Sequence, residues 1–185
     1  MTHIHHHVYS AEKAASLKSG MRKFLMNPEK TLAPLIQEGI TILEVGCGPG
    51  LFTLEAARLV GPCGRVIAAD LQQAMLDMVR ESSQGTDFGD RIVLHKCSED
   101  RIGVTEPVDL ILAIHVVHEL PDRENFFDEM KSIIRSNGTL FLMEPAFVVP
   151  AGEFDETLVI ARKSGFRAAG RKRSLLSRVA VLKAG

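Results

Sequence analysis

Glu44 stands two residues ahead of Gly46, and Gly48 and Gly50 follow at alternate positions, in the stretch T-I-L-E-V-G-C-G-P-G that begins at Thr41. Glycines so spaced let the backbone turn sharply and approach a ligand with no side chain in the way. The dinucleotide spacing G-x-G-x-x-G/A, counted from Gly46, ends on Leu51 and fits poorly. A carboxylate ahead of the turn would repel a pyrophosphate and suits a ligand with a cationic amino group. The competing readings are a βα turn with no ligand and a redox-nucleotide turn. A second acid, Asp70, stands twenty positions after Gly50 at the end of R-V-I-A-A-D. In nucleotide folds an acid so placed accepts hydrogen bonds from ribose hydroxyls. A third group, His115, His118 and Glu119, closes the longest apolar run, Val108–Val117. His118, then Glu119 and His115, could take a proton from a reacting group if the chemistry releases one. The alternative for His118 is simple packing or a bond to backbone. Tyr9 and Glu144 are further pocket candidates.

The elements that must hold these groups follow from hydrophobic period and punctuation. Ile40, Ile42, Leu43 and Val45 make a strand buried on both faces, and Leu51–Leu59 makes the helix after the glycine turn. Strands follow at Arg65–Asp70, Arg91–Lys96, Val108–Val117 and Thr139–Glu144, with helices at Gln73–Arg80, Arg123 to about Arg135, and Asp155–Ser164. Asp109, inside an apolar strand, is expected to be satisfied by backbone or a turn. Ser136-Asn137-Gly138 reads as a turn into the fifth strand, and Phe166–Leu175 with Arg178–Lys183 as a closing pair. Ahead of the first strand, Ser10 can cap one helix, and Asn27-Pro28 opens another that should run to about Glu38. These helices either cover the carboxyl edge of the sheet or pack on one of its faces. We expect Val8–Met26 to act as a lid.

The sequence E-V-G-C-G-P-G resembles the first motif of class I S-adenosylmethionine-dependent methyltransferases, of the small prokaryotic type-11-like kind. The resemblance covers almost all of the chain after about Asn27. It implies an α/β, Rossmann-like sandwich whose seven-stranded, mostly parallel sheet runs in the order 3-2-1-4-5-7-6, with helices on both faces. Residues 1–27 then form an N-terminal tail and cap helices, and residues 28–185 the methyltransferase domain. The implied cofactor is S-adenosylmethionine, with S-adenosylhomocysteine as product. Glu44, Gly46, Cys47, Gly48 and Gly50 would meet its amino-acid end, and Asp70 and Leu71 its ribose. Ser98 and Glu99 would edge the adenine, with Ile114 and His115 completing the wall. Ser136-Asn137 stands where the family more often has Lys-Pro. The opening His7-Val8-Tyr9-Ser10-Ala11-Glu12-Lys13 lacks the cysteine and second histidine of a related subgroup.

Composition bounds the rest. At 185 residues one domain with a sizeable core is expected. A net charge of −1 with both signs interspersed makes no demand for nucleic acid, and the basic stretch Arg162–Arg178 reads as a solvated surface. Cys47, Cys63 and Cys97 show no metal spacing and fit reduced thiols in a cytoplasmic protein. No apolar run reaches membrane-spanning length and the N-terminus is polar, so no membrane is expected. Four of the seven histidines lie within Thr2–His7, as a native tail or an expression remnant, and no metal site is assigned. The first functional hypothesis is therefore methyl transfer to a small-molecule acceptor, by a monomer or a homodimer. The alternatives are a protein or RNA methyltransferase, disfavoured because no Asn/Asp-Pro-Pro-aromatic tetrapeptide is present, and a non-catalytic cofactor-binding or metal-handling protein.

Overall fold

The computed structural model describes residues 26–173 and 176–185. Seven strands form one sheet in the order β3-β2-β1-β4-β5-β7-β6. They are β1 (Thr41–Val45), β2 (Arg65–Asp70), β3 (Ile92–Lys96), β4 (Val108–Ile114), β5 (Ile134–Pro145), β6 (Phe166–Arg173) and β7 (Ser177–Ala184). β1 to β5 pair in parallel, while β7 runs antiparallel between β5 and β6. The expected architecture and order are observed. Helices α1 (Pro28–Leu32), α2 (Leu51–Leu59), α3 (Gln73–Ser83), α4 (Arg123–Ile133) and α5 (Ala151–Lys163) cover the two faces.

Alternation along the strands divides the core. Leu43, Val45, Ile67, Ile111 and Leu140 face α4 and α5, where they meet Phe126, Phe127, Met130 and Phe154. Ile42, Val66, Leu110, Leu112 and Phe141 face the opposite way, onto Leu32, Phe52 and Ala56. Because side chains alternate with period two, Glu44 shares the face of Ile42 and points toward α2. The α4 side is anchored by edge-to-face rings, Phe126 on Phe127 at 5.1 Å and Phe127 on Phe166 at 6.1 Å between centroids. Asp109 is satisfied as anticipated: its Oδ2 accepts from the Thr41 amide at 2.9 Å and from Arg135 at 2.6 Å.

Several boundaries differ from the sequence reading, each for a local reason. α1 ends at Leu32, well short of Glu38, because Pro34 offers no N–H to continue the ladder. The Leu35 and Ile36 amides turn back onto the Leu32 carbonyl instead. β4 stops at Ile114, not Val117: His115 adopts φ +58°, and Val117–Glu119 form a 3-10 turn. The apolar run marks burial there, not strand. β5 begins at Ile134, because Ser136-Asn137-Gly138 is taken up as a bulge, with Asn137 at φ +67°, between the pairs Val108–Ile134 and Leu110–Thr139. α5 begins four residues before Asp155, directly after Pro150. The lid segment lies outside the described residues except at Met26. α1 itself packs on α2, which is the sheet-face alternative.

Phe127 is fully buried and joins α4 to β6. Phe127→Ala should lower the unfolding free energy by about 3–5 kcal/mol, read as a lower denaturant midpoint. A midpoint unchanged within error would show that these rings do not anchor that layer.

Candidate active site

The first strand delivers the chain to a turn in which Gly46, Gly48 and Gly50 all have positive φ, at +69°, +52° and +91°. The Gly46 and Cys47 amides donate to the Ala69 carbonyl, at 2.8 and 3.1 Å, which ties the turn to the end of β2. A Cβ on Gly46 would come within 2.6 Å of Val116 Cγ2, so protein packing demands that glycine. A Cβ on Gly48 would meet nothing within 4 Å, and Gly48 lines a cavity. That glycine leaves room for something other than protein.

The cavity measures about 500 Å³ and lies at the carboxyl edge of the parallel strands. This edge is where open α/β sheets bind ligands, and the volume suits a nucleoside-sized molecule. Glu44, Gly46, Cys47, Gly48, Asp70 and Leu71 line its floor. Ser98, Glu99, Ile114, His115 and Glu119 also line it. Of the described residues singled out from sequence, three do not: Gly50, His118 and Glu144. Gly50 caps α2, where a Cβ would press on Val79 at 3.1 Å, so its work is in the turn. His118 stands behind Glu119, outside the lining.

The acids of the floor are held in defined positions. Asp70 is nearly buried, with Oδ2 accepting from the Gly48 amide at 2.9 Å and Oδ1 from the Gln72 amide at 2.8 Å. Each oxygen keeps a further lone pair for a ligand. Burial raises the Asp70 pKa, opposed by those two amides and by the Lys96 charge. Lys96 itself donates to the Leu71 carbonyl, bracing the loop after β2. Glu44 is buried against α2, where the Thr53 hydroxyl donates to it at 2.5 Å. Burial pushes its pKa to about 8, with the Thr53 hydrogen bond opposing and the Asp70 charge adding. Without a ligand Glu44 is therefore largely protonated at neutral pH, and a cationic group beside it would favour its ionised form. Burial also pushes the Cys47 thiol far up and the Cys97 thiol to about 12, so neither is a nucleophile.

The loop after β3 is fixed from behind. Glu129 of α4 accepts from the Ile102 and Gly103 amides at 3.0 and 2.6 Å. The Ser98 hydroxyl donates to Asp100 at 2.7 Å, so its proton is committed locally and its lone pairs remain. At the far wall, His118 Nδ1 lies 2.7 Å from Glu144 Oε2, and the His118 amide donates to Glu144 Oε1 at 3.2 Å. Burial lowers the His118 pKa, but the Glu144 hydrogen bond and charge outweigh it, and the net shift is upward. Sequence reasoning gave no role to Thr53, Gln72, Val116 or Glu129. Only Thr53 carried a signal, since it stands one turn into the helix that Glu44's face must meet. Among the described residues no group of three or more His, Cys, Asp or Glu could hold a metal ion, and no helix is long and apolar enough to cross a membrane.

A mostly parallel sheet with this order, a three-glycine turn after β1 and an acid at the end of β2 define a nucleoside-binding Rossmann-like domain. The family profile described as "Methyltransferase domain" matches residues 43–142, more than half of the chain. The chain belongs to that family, and with it to the class I S-adenosylmethionine-dependent methyltransferases. Among solved structures, a SAM-dependent methyltransferase from Aquifex aeolicus superposes with a TM-score of 0.85 at 23% identity, covering 96% of this chain and 100% of that one. The C-methyltransferase UbiE of ubiquinone/menaquinone biosynthesis from Hahella chejuensis is 26% identical over 110 residues, 59% of this chain and 44% of UbiE. The arsenite methyltransferase of Halobacterium salinarum is 27% identical over 145 residues, 77% of this chain and 36% of that protein. The chain thus spans less than half the length of either curated relative.

The buried acids make stability fall with rising pH. Glu44 binds its proton in the folded state up to about pH 8 and in the unfolded state only to about 4.5. Between those values the folded form holds more protons, so each step upward in pH costs stability. The raised His118 adds the same sign above about 6.5. The melting temperature of the ligand-free protein should decline from about pH 5 to 8, and Glu44→Gln should flatten that decline. A Glu44→Gln profile parallel to wild type would show that Glu44 is ionised throughout.

Proposed function

We propose that the protein transfers a methyl group from S-adenosylmethionine to a small-molecule acceptor. The observation that carries this reading is the pairing of Asp70 and Glu44 around an open Gly48 at the cavity floor. The donor set suits this cofactor: carboxylates for a cationic amino-acid end and a diol, and apolar walls for a purine. Asp70 would accept from both ribose hydroxyls with the lone pairs its two amide bonds leave over. Glu44, ionised by the ligand's charge, would face the amino group across the Gly46–Gly48 backbone, with Cys47 beside it. Leu71 would flank the ribose, and Ser98 and Glu99 the adenine edge. Ile114 and His115 would form the wall near the reacting end.

When bound, the cofactor supplies a methyl group already activated by a sulfonium charge. The chain's task is then orientation and exclusion of water. Ile102, Val116, Leu120 and Pro121 give the remaining wall an apolar lining in which an acceptor can be held dry. The relatives illustrate how widely acceptors vary on this fold, so the acceptor must be found by experiment. Screening pooled small molecules with methyl-labelled cofactor would do so. Calorimetry on tag-free protein, with the cofactor and separately with nickel or zinc, would separate this reading from a metal-handling one.

S-adenosylhomocysteine should bind in the micromolar range and NAD should not. Loss of a charge-assisted acceptor in Asp70→Ala should weaken binding by about 10- to 100-fold. Gly48→Val places a branched side chain in the open space at positive φ and should abolish binding while the circular dichroism spectrum is kept. An unchanged dissociation constant in Asp70→Ala would remove Asp70 from the cofactor site.

A further inference from the structure

Three groups are strung together at the acceptor wall. Glu144, 2% exposed at the end of β5, accepts from His118 with both oxygens: Nδ1 at 2.7 Å and the amide at 3.2 Å. The opposite ring nitrogen, Nε2, lies 3.8 Å from Glu119 Oε1. Glu119 lines the cavity, and His118 does not. A histidine held this way has its Nδ1–H fixed on a buried carboxylate and presents Nε2 to the second one. Resting on the methyltransferase reading above, we propose that Glu119 takes the acceptor's proton, and that His118 and Glu144 are positioning residues that aim and charge it. The acceptor is then protic: a hydroxyl, a thiol or an amine.

The surroundings fit this division of labour. His118 is faced by Glu144 from β5, Glu119 from its own turn and Glu153 from α5, and Glu153 is paired with Arg123. Burial lowers the proton affinity of His118, but the three carboxylates about it raise it on balance, and its Nδ1 is already engaged by Glu144. Glu119 is faced by His118, Glu144 and Asp70. Burial and the two acids raise its proton affinity, and the imidazolium limits the rise, which is the condition of a useful general base. In the step itself, the acceptor atom bonds to the methyl carbon while the carbon–sulfur bond breaks and leaves its electron pair on sulfur. The acceptor's proton passes to the Glu119 carboxylate. From there it reaches water, because the Glu119 side chain is 32% exposed.

Nitrogen-15 and carboxyl carbon-13 spectra of the full chain, with and without S-adenosylhomocysteine, test this arrangement. The neutral form of His118 should carry its proton on Nδ1. Its midpoint should drop in Glu144→Gln and, by less, in Glu119→Gln. The Glu119 midpoint should rise in His118→Gln. Glu119→Gln should still bind S-adenosylhomocysteine but transfer methyl groups at least about 100-fold more slowly to the pooled hydroxyl, thiol and amine compounds. A proton on Nε2 in neutral His118, a Glu119 midpoint unmoved by His118→Gln, or wild-type transfer by Glu119→Gln would each overturn the proposal. The first two are measured in the ligand-free protein. Failure of the wild type to bind S-adenosylhomocysteine would instead overturn the methyltransferase reading and leave those measurements standing on their own.

Discussion

The site depends on how the turn after β1 disposes of its backbone amides. A chain that leaves a buried strand and opens toward a cavity must satisfy its N–H groups without filling the space it is opening. Here the work is given to β2. The Ala69 carbonyl takes the Gly46 and Cys47 amides, and the Asp70 carboxylate takes the Gly48 amide. With these donors bonded sideways to the neighbouring strand, the turn keeps its left-handed path with no side chain above it. The same Asp70 reaches down to the Gln72 amide and so fixes the start of the next loop. One carboxylate sets the spacing of both loops that frame the floor, and it does so before any ligand arrives.

That solution has an electrostatic cost. Asp70 and Glu44 approach each other in a region from which water is largely removed, and the charge of Asp70 raises the proton affinity of Glu44. Two ionised acids at such a site would repel. Glu44 instead accepts the Thr53 hydroxyl and holds a proton near neutrality. A ligand that brings positive charge would favour the doubly ionised state. Among the described residues, an anionic ligand would meet Asp70 with Lys96 as the charge beside it, and that ammonium is already on the Leu71 carbonyl.

Much of this was legible in the chain. Glu44, the glycine spacing and the acid at Asp70 are fixed by local rules, because a βα turn and the strand after it leave few places for such groups. The sheet order came from the family resemblance, since period and punctuation give elements but not their neighbours. Three things could not be read. The helix opened by Asn27-Pro28 reads on to about Glu38 because Leu35 and Ile36 keep its apolar spacing, but without an N–H at Pro34 the ladder ends at Leu32. Val108–Val117 looked like one strand because apolar content reports burial, and only the positive φ of His115 shows where the strand gives way to a turn. His118 is the more familiar proton acceptor, but it is Glu119 that lines the cavity. Which of two adjacent side chains faces a cavity depends on the pitch of a 3-10 turn, and sequence does not carry that.

The orientation of that turn is itself set by Glu144, twenty-six residues away. β5 lies beside β4, and the Met143 carbonyl takes the His115 amide at 2.7 Å just as β4 ends. The next residue on β5 is then level with the turn that follows, so Glu144 can take both the ring and the amide of His118. An apolar residue at position 144 would leave that amide without this partner, and the turn would have to open to reach water. Opening would carry Glu119 off the cavity wall and withdraw Val116 from Gly46, against which it packs so closely that a Cβ there would come within 2.6 Å. The two halves of the site are thus coupled through Val116: the turn that presents Glu119 also closes over the glycine loop. Sequence changes on β5 can alter the cofactor floor without touching it.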